Sequence, residues 1–157
     1  MNWEITNFAR WQVQCDPAAT REAYAGITIG SPEKCSCSPC RNFAALRDHI
    51  YPPRAREIFE QLGIRYDREA EIYHARMNAG VHSYGGWFHF VGQILSGGDL
   101  MTEGDPLFHP ERVDENFAMG FTARIALLEK PFADLPVAQL EFFAESVPWV
   151  LEEPEAM

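Results

Sequence analysis

The feature that most constrains the fold is an alternation late in the chain. Phe117, Met119, Phe121, Ala123, Ile125 and Leu127 occupy every second position. Strand side chains point to opposite faces in turn, so this period predicts a strand with one buried face. Lys130-Pro131 to Leu135-Pro136 then forms a connection, and Val137 to Ser146 predicts a second strand antiparallel to the first. Val147-Pro148-Trp149 extends it, which places the proline at an edge or an end, where its missing N–H costs no ladder bond.

A second strand signal, β-former content, lies upstream. Val81 to Leu95 is rich in β-formers, includes Trp87-Phe88-His89-Phe90-Val91, and ends at Gly97-Gly98. Gly85-Gly86 inside it is either a two-residue hairpin turn or a bulge in one long strand. Residues 67–79 fit a helix capped by Asp67 or a strand over Glu71 to Arg76. The strand is the better reading, because Asn78-Ala79-Gly80 supplies a turn into the next one. At the start, Trp3, Ile5, Ala9, Trp11, Val13 and Cys15 share one parity. This predicts a half-buried strand, broken near Asn7 and ended by Asp16-Pro17.

Between these strands the period changes. Residues 26–39 show none and read as a loop leading to a helix start at Pro39-Cys40. Phe43, Leu46, Arg47 and Ile50 fall at helical spacing. Pro52-Pro53 restarts the pattern, and Ala55, Ile58, Phe59 and Leu62 follow at i, i+3, i+4 and i+7. Gly63 stands where a left-handed cap belongs, with Ile64 folding back. The expectation is a single α+β domain over residues 1–157, with a largely antiparallel sheet and two central helices packed on one face. An apolar fraction of 46% supports a folded core, and the segment from Glu152 to Met157 reads as a frayed acidic tail.

The residues that carry chemistry are cysteines. Cys35-Ser36-Cys37-Ser38-Pro39-Cys40 places three thiols in six residues. Thiolates this close repel one another unless a cation neutralises them, and zinc takes Cys sulfur and His nitrogen in a tetrahedral shell. A helix start at Cys40 and the neighbouring Arg41 both favour thiolate. The expected ligands are Cys35, Cys37 and Cys40, with His89 as the fourth. His74, His82 and Cys15 are the alternatives. If Gly85-Gly86 were a turn, His82 would lie across from His89. Cys15 lies on the apolar parity, so its first reading is a small core residue. Three free thiols, a Cys37/Cys40 redox pair, and an iron–sulfur cluster completed by Cys15 are competing readings of the same spacing.

Several function classes find no support. There is no G-x-S-x-G, H-E-x-x-H, P-loop, G-x-G-x-x-G or deaminase signature. A net charge of −10 disfavours phosphate backbones and hence nucleic acid. No apolar stretch approaches the roughly 20 residues that span a bilayer. Met1-Asn2-Trp3-Glu4 does not resemble a secretory signal, so a cytoplasmic location with reduced thiols is expected. The acids Asp99, Glu103, Asp105, Asp114 and Glu115 lie in a loop whose spacing does not match a calcium site. That loop is either solvated or a docking surface for a basic protein. The aromatic run near Trp87 reads as core, with a ligand groove as its alternative. The working expectation is an acidic, zinc-stabilised binding or regulatory module. The competing one is a metal- or thiol-dependent enzyme using the cysteines with nearby histidines.

Overall fold

The computed structural model describes residues 1–102 and 104–155, so Glu103 of the acidic loop and the last two residues of the tail lie outside the described residues. The fold is mixed α+β. Among the described residues, seven strands form an antiparallel sheet in the order β1-β2-β4-β7-β6-β5, with β3 also paired to β4. Strand β4 (Val81–Ser96) is the frame of the sheet. It pairs with β3 (Glu71–Asn78) along its first half and with β2 (Trp11–Cys15) at its far end, while β7 (Val137–Pro148) lines its other edge.

Gly85-Gly86 is therefore not a turn. Both glycines lie inside β4, and a side chain at Gly85 would meet the Tyr73 ring at 2.2 Å. The glycines are there because an aromatic ring of β3 and Phe142 of β7 crowd onto the strand.

The N-terminal segment is a hairpin rather than one strand. β1 (Glu4–Phe8) and β2 are joined by Ala9-Arg10, with Ala9 at φ 50°. Phe8 pairs with Trp11 and Thr6 with Val13, so buried positions are even in β1 and odd in β2. The expected parity holds for β2 and inverts for β1, which leaves Trp3 and Ile5 exposed. The late alternation also ends early. β6 (Phe117–Thr122) stops where Asp99 takes the Ala123 N–H and Thr122 takes the Arg124 N–H, and Ile125 and Leu127 are exposed. The short β5 (Glu111–Arg112) completes that edge.

Four helices are present among the described residues. Asp16 caps α1 (Pro17–Ala25), accepting from the Ala19 N–H at 3.0 Å. The expected loop of residues 26–39 contains α2 (Ser31–Cys35), which is too short to show a period. α3 (Ser38–Ile50) and α4 (Pro53–Leu62) each carry proline in the first turn. α4 ends at Gly63 with φ 82°, and Ile64 N–H bonds back to Phe59. Phe43 of α3 and Phe59 of α4 meet Phe142 and Phe88 of the sheet at ring separations of 6.1 and 5.1 Å.

The tail is docked. Val150 N–H bonds to Asn42 at 2.8 Å, Arg41 forks onto Glu153, and Glu155 accepts from Gly80 N–H at 2.6 Å. Its acids found cations and N–H groups that local reading could not see.

Candidate metal centre

The junction between α2 and α3 builds the thiol cluster. Cys35 closes α2, and Ser36 turns the chain at φ 54°. Cys37 sits at the N-cap position of α3, and Cys40 lies in that helix's first turn. The left-handed step at Ser36 lets two helices meet without a longer linker. Arg41 fixes the turn by donating from Nε to Ser36 O at 3.0 Å.

The three Sγ atoms lie within 4.8 Å of one another, with Cys35 and Cys37 exposed and Cys40 buried. Zinc–sulfur bonds near 2.3 Å place tetrahedral sulfurs about 3.8 Å apart, so the trio needs only a small contraction to hold an ion. Electrostatics separate Cys35 from Cys40. The Cys37 N–H and the thiols of Cys37 and Cys40 stabilise a Cys35 thiolate and pull its pKa below the ordinary thiol range. Burial, reinforced by the neighbouring sulfurs, pushes Cys40 far above that range. Without a cation, the exposed Cys35 therefore ionises more readily than the buried Cys40. A divalent ion makes thiolate favourable at all three.

The other expected candidates stand apart from this group. Cys15 is fully buried, 3.7 Å from the Thr6 hydroxyl, and burial raises its thiol pKa. His89 is also buried, with Nε2 bonded to Gln139 at 3.0 Å. Its neighbour Phe88 packs on Phe59 of α4, so His89 points to the opposite face of the sheet. The structure does not bring it to the cysteines. Among the described residues, no fourth Cys, His, Asp or Glu joins the 4.8 Å group.

His74 and His82 meet each other instead. His74 Nε2 lies 2.6 Å from His82 Nδ1, and His82 Nε2 lies 2.5 Å from Glu155. Trp149 packs on the His82 ring at 5.1 Å, and Arg76 reaches the other Glu155 oxygen at 3.2 Å. Burial and the His82 charge both lower the His74 pKa. The sequence signal for this pair is the β3–β4 turn, which places His74 and His82 diagonally across the hairpin. Nothing local pointed to Glu155.

Tyr84 connects the two regions. Its hydroxyl donates to Pro39 O at 2.8 Å, inside the cysteine segment, and its ring lies 5.0 Å from His74. A second support is Arg47 of α3, which forks onto Glu33 of α2 and onto buried Glu69, beside the Tyr51 hydroxyl. The α2–α3 junction is thus held by ion pairs on one side and by Arg41 on the other.

No helix among the described residues is long and apolar enough to cross a membrane. Compared with protein-family models, curated proteins and solved structures, the chain matches none.

Proposed function

We propose that this is a zinc protein in which Cys35, Cys37 and Cys40 hold the ion and tie α2 to α3, and that the domain serves as a binding or regulatory module. The observation that supports this reading is the approach of three Sγ atoms within 4.8 Å at one helix junction. Zinc fits better than a hard cation because all three donors are sulfur. A structural role fits better than a hydrolytic one, because three thiolates already neutralise much of the charge that makes zinc a Lewis acid. A reducing compartment such as the cytoplasm keeps these thiols available. The −10 charge suits capture of a basic protein.

Metal analysis tests the first half. Protein purified without added zinc should carry one ion per chain, and Cys37→Ser should lower both zinc content and the thermal midpoint. A metal-free protein with all thiols freely titratable defeats the reading. Binding to a basic partner should weaken as salt rises through about 0.15 M, where exposed charges more than roughly 8 Å apart are screened.

A second reading rests on Cys35, which is exposed and has a lowered pKa. In it the cluster supplies a reactive thiolate for thiol-dependent chemistry. Alkylation separates the two readings. Under the zinc reading, Cys35 is modified only after a chelator is added; under the thiol reading it reacts first and without one.

A further inference from the structure

A cavity of about 600 Å³ opens between α1 and the C-terminal end of α4. Its volume falls within the roughly 300–1,000 Å³ typical of small-molecule sites. What sets it apart is charge. The chain has 13 basic residues against 23 acidic ones. Yet Arg21, Arg56 and Arg65 all line this cavity, with Glu60 as its one carboxylate. Half-buried Tyr66 forms an aromatic wall, and the edge of the core ring Phe59 lies at the floor.

The three guanidinium groups differ in how far they are already engaged. Arg65 is forked onto Asp67 at 2.9 and 3.5 Å. Arg56 donates Nε to Tyr51 O at 3.0 Å and lies beside the Tyr66 hydroxyl. Arg21 has neither a hydrogen bond nor an ion pair among the described residues, so its whole fork is open to an anion.

We propose that this cavity binds a small organic anion: a flat apolar body lying against Tyr66, with a carboxylate or phosphate head taken by Arg21 and Arg56. The proposal is independent of the cysteine centre. An apolar ligand without the head leaves Arg21 unanswered, and a bare inorganic anion leaves the Tyr66 wall wet. The combination of the two is what the site selects.

The test uses anilinonaphthalene sulfonate, whose fluorescence rises in apolar anion sites, as a probe of the whole protein. Saturation at one equivalent is expected. Arg21→Glu should weaken binding at least about ten-fold, the loss expected when one charged hydrogen-bond partner is reversed. Arg124→Glu, an equal charge change at an exposed residue outside the cavity, should leave affinity unchanged. Naphthoate and phenyl phosphate should displace the probe, and their relative strength identifies the preferred head. Absence of saturable binding, equal loss in both variants, or displacement by inorganic phosphate as strong as by phenyl phosphate would overturn the proposal.

Discussion

The two faces of the sheet at β4 and β7 are built from alternate residues of the same strands and have opposite chemistry. Under the helices, Phe88 and Phe142 pack with Phe43, Tyr51, Phe59 and Phe117, with ring centroids between 5.1 and 6.1 Å apart. The one polar atom drawn into that cluster, the Tyr51 hydroxyl, is bonded to Glu69 at 2.8 Å. On the other face His89, Gln139 and Glu141 are buried in a row beneath the connection that follows β6. Gln139 accepts from Ala126 N–H and bonds to His89, and its amide donates to Glu141 at 2.8 Å. His89 Nδ1 and Glu129 Oε1 have no hydrogen bond and lie 3.9 Å apart. A period of two lets one strand pair deliver dispersion and apolar burial to one side and a fixed polar network to the other.

If the helix-side face carries the stability, Phe142→Ala should have the largest effect, because Phe142 touches four of the other rings. A loss of about 3–5 kcal/mol is expected from urea unfolding. A loss under about 1.5 kcal/mol would mean that the helices collapse into the cavity, and that the aromatic face is looser than its geometry implies.

Arg47→Met tests the polar margin of that same face. The Arg47 side chain is 12% exposed and that of Glu69 fully buried, so removing the arginine leaves a buried carboxylate held by the Tyr51 hydroxyl and its own backbone N–H, with no cation. The expected cost is about 3 kcal/mol. It should shrink when Glu69→Gln is added, since the stranded charge is then gone. An additive double variant would show that the pair is not coupled.

The difference between the faces also explains what sequence reasoning reached. β4 was legible because its β-formers lie in one local run, β6 because its alternation is local, and α3 and α4 because proline starts and the Gly63 stop frame a helical period. The cysteine cluster was legible because its three donors lie within six residues around one helix start. Other features depend on register or distance. Ala9 takes a positive φ that its residue type does not announce. α2 is five residues long. His82 meets Glu155 across 73 positions, and Arg21 and Arg56 line one cavity only because α1 packs on α4. His89 was a reasonable metal candidate by residue type, but the pleat turns it away from the cysteines.

The smallest expected effect concerns the unpaired atoms on the polar face. Gln139 Oε1 takes the Ala126 N–H, so the His89 nitrogen facing it carries the proton, and neutral His89 presents Nδ1 as an acceptor toward Glu129. Two acceptors then oppose each other whenever Glu129 is ionised. Burial raises the Glu129 pKa, although nearby Lys34 partly offsets it. A carboxyl whose folded pKa exceeds its unfolded one leaves the native state holding more protons between the two values. Stability therefore falls as pH rises through that window, and the deficit is complete above it. Glu129→Gln removes the charge and offers an N–H to His89. It should stabilise the protein by about 1 kcal/mol at neutral pH, and the gain should fade as pH drops into the ordinary carboxylate range. His89 titrates in both variants, its own pKa lowered by burial, so the difference between them isolates Glu129. Urea midpoints measured across that range decide it: a gain that persists unchanged in acid would place the strain in packing rather than in the buried charge.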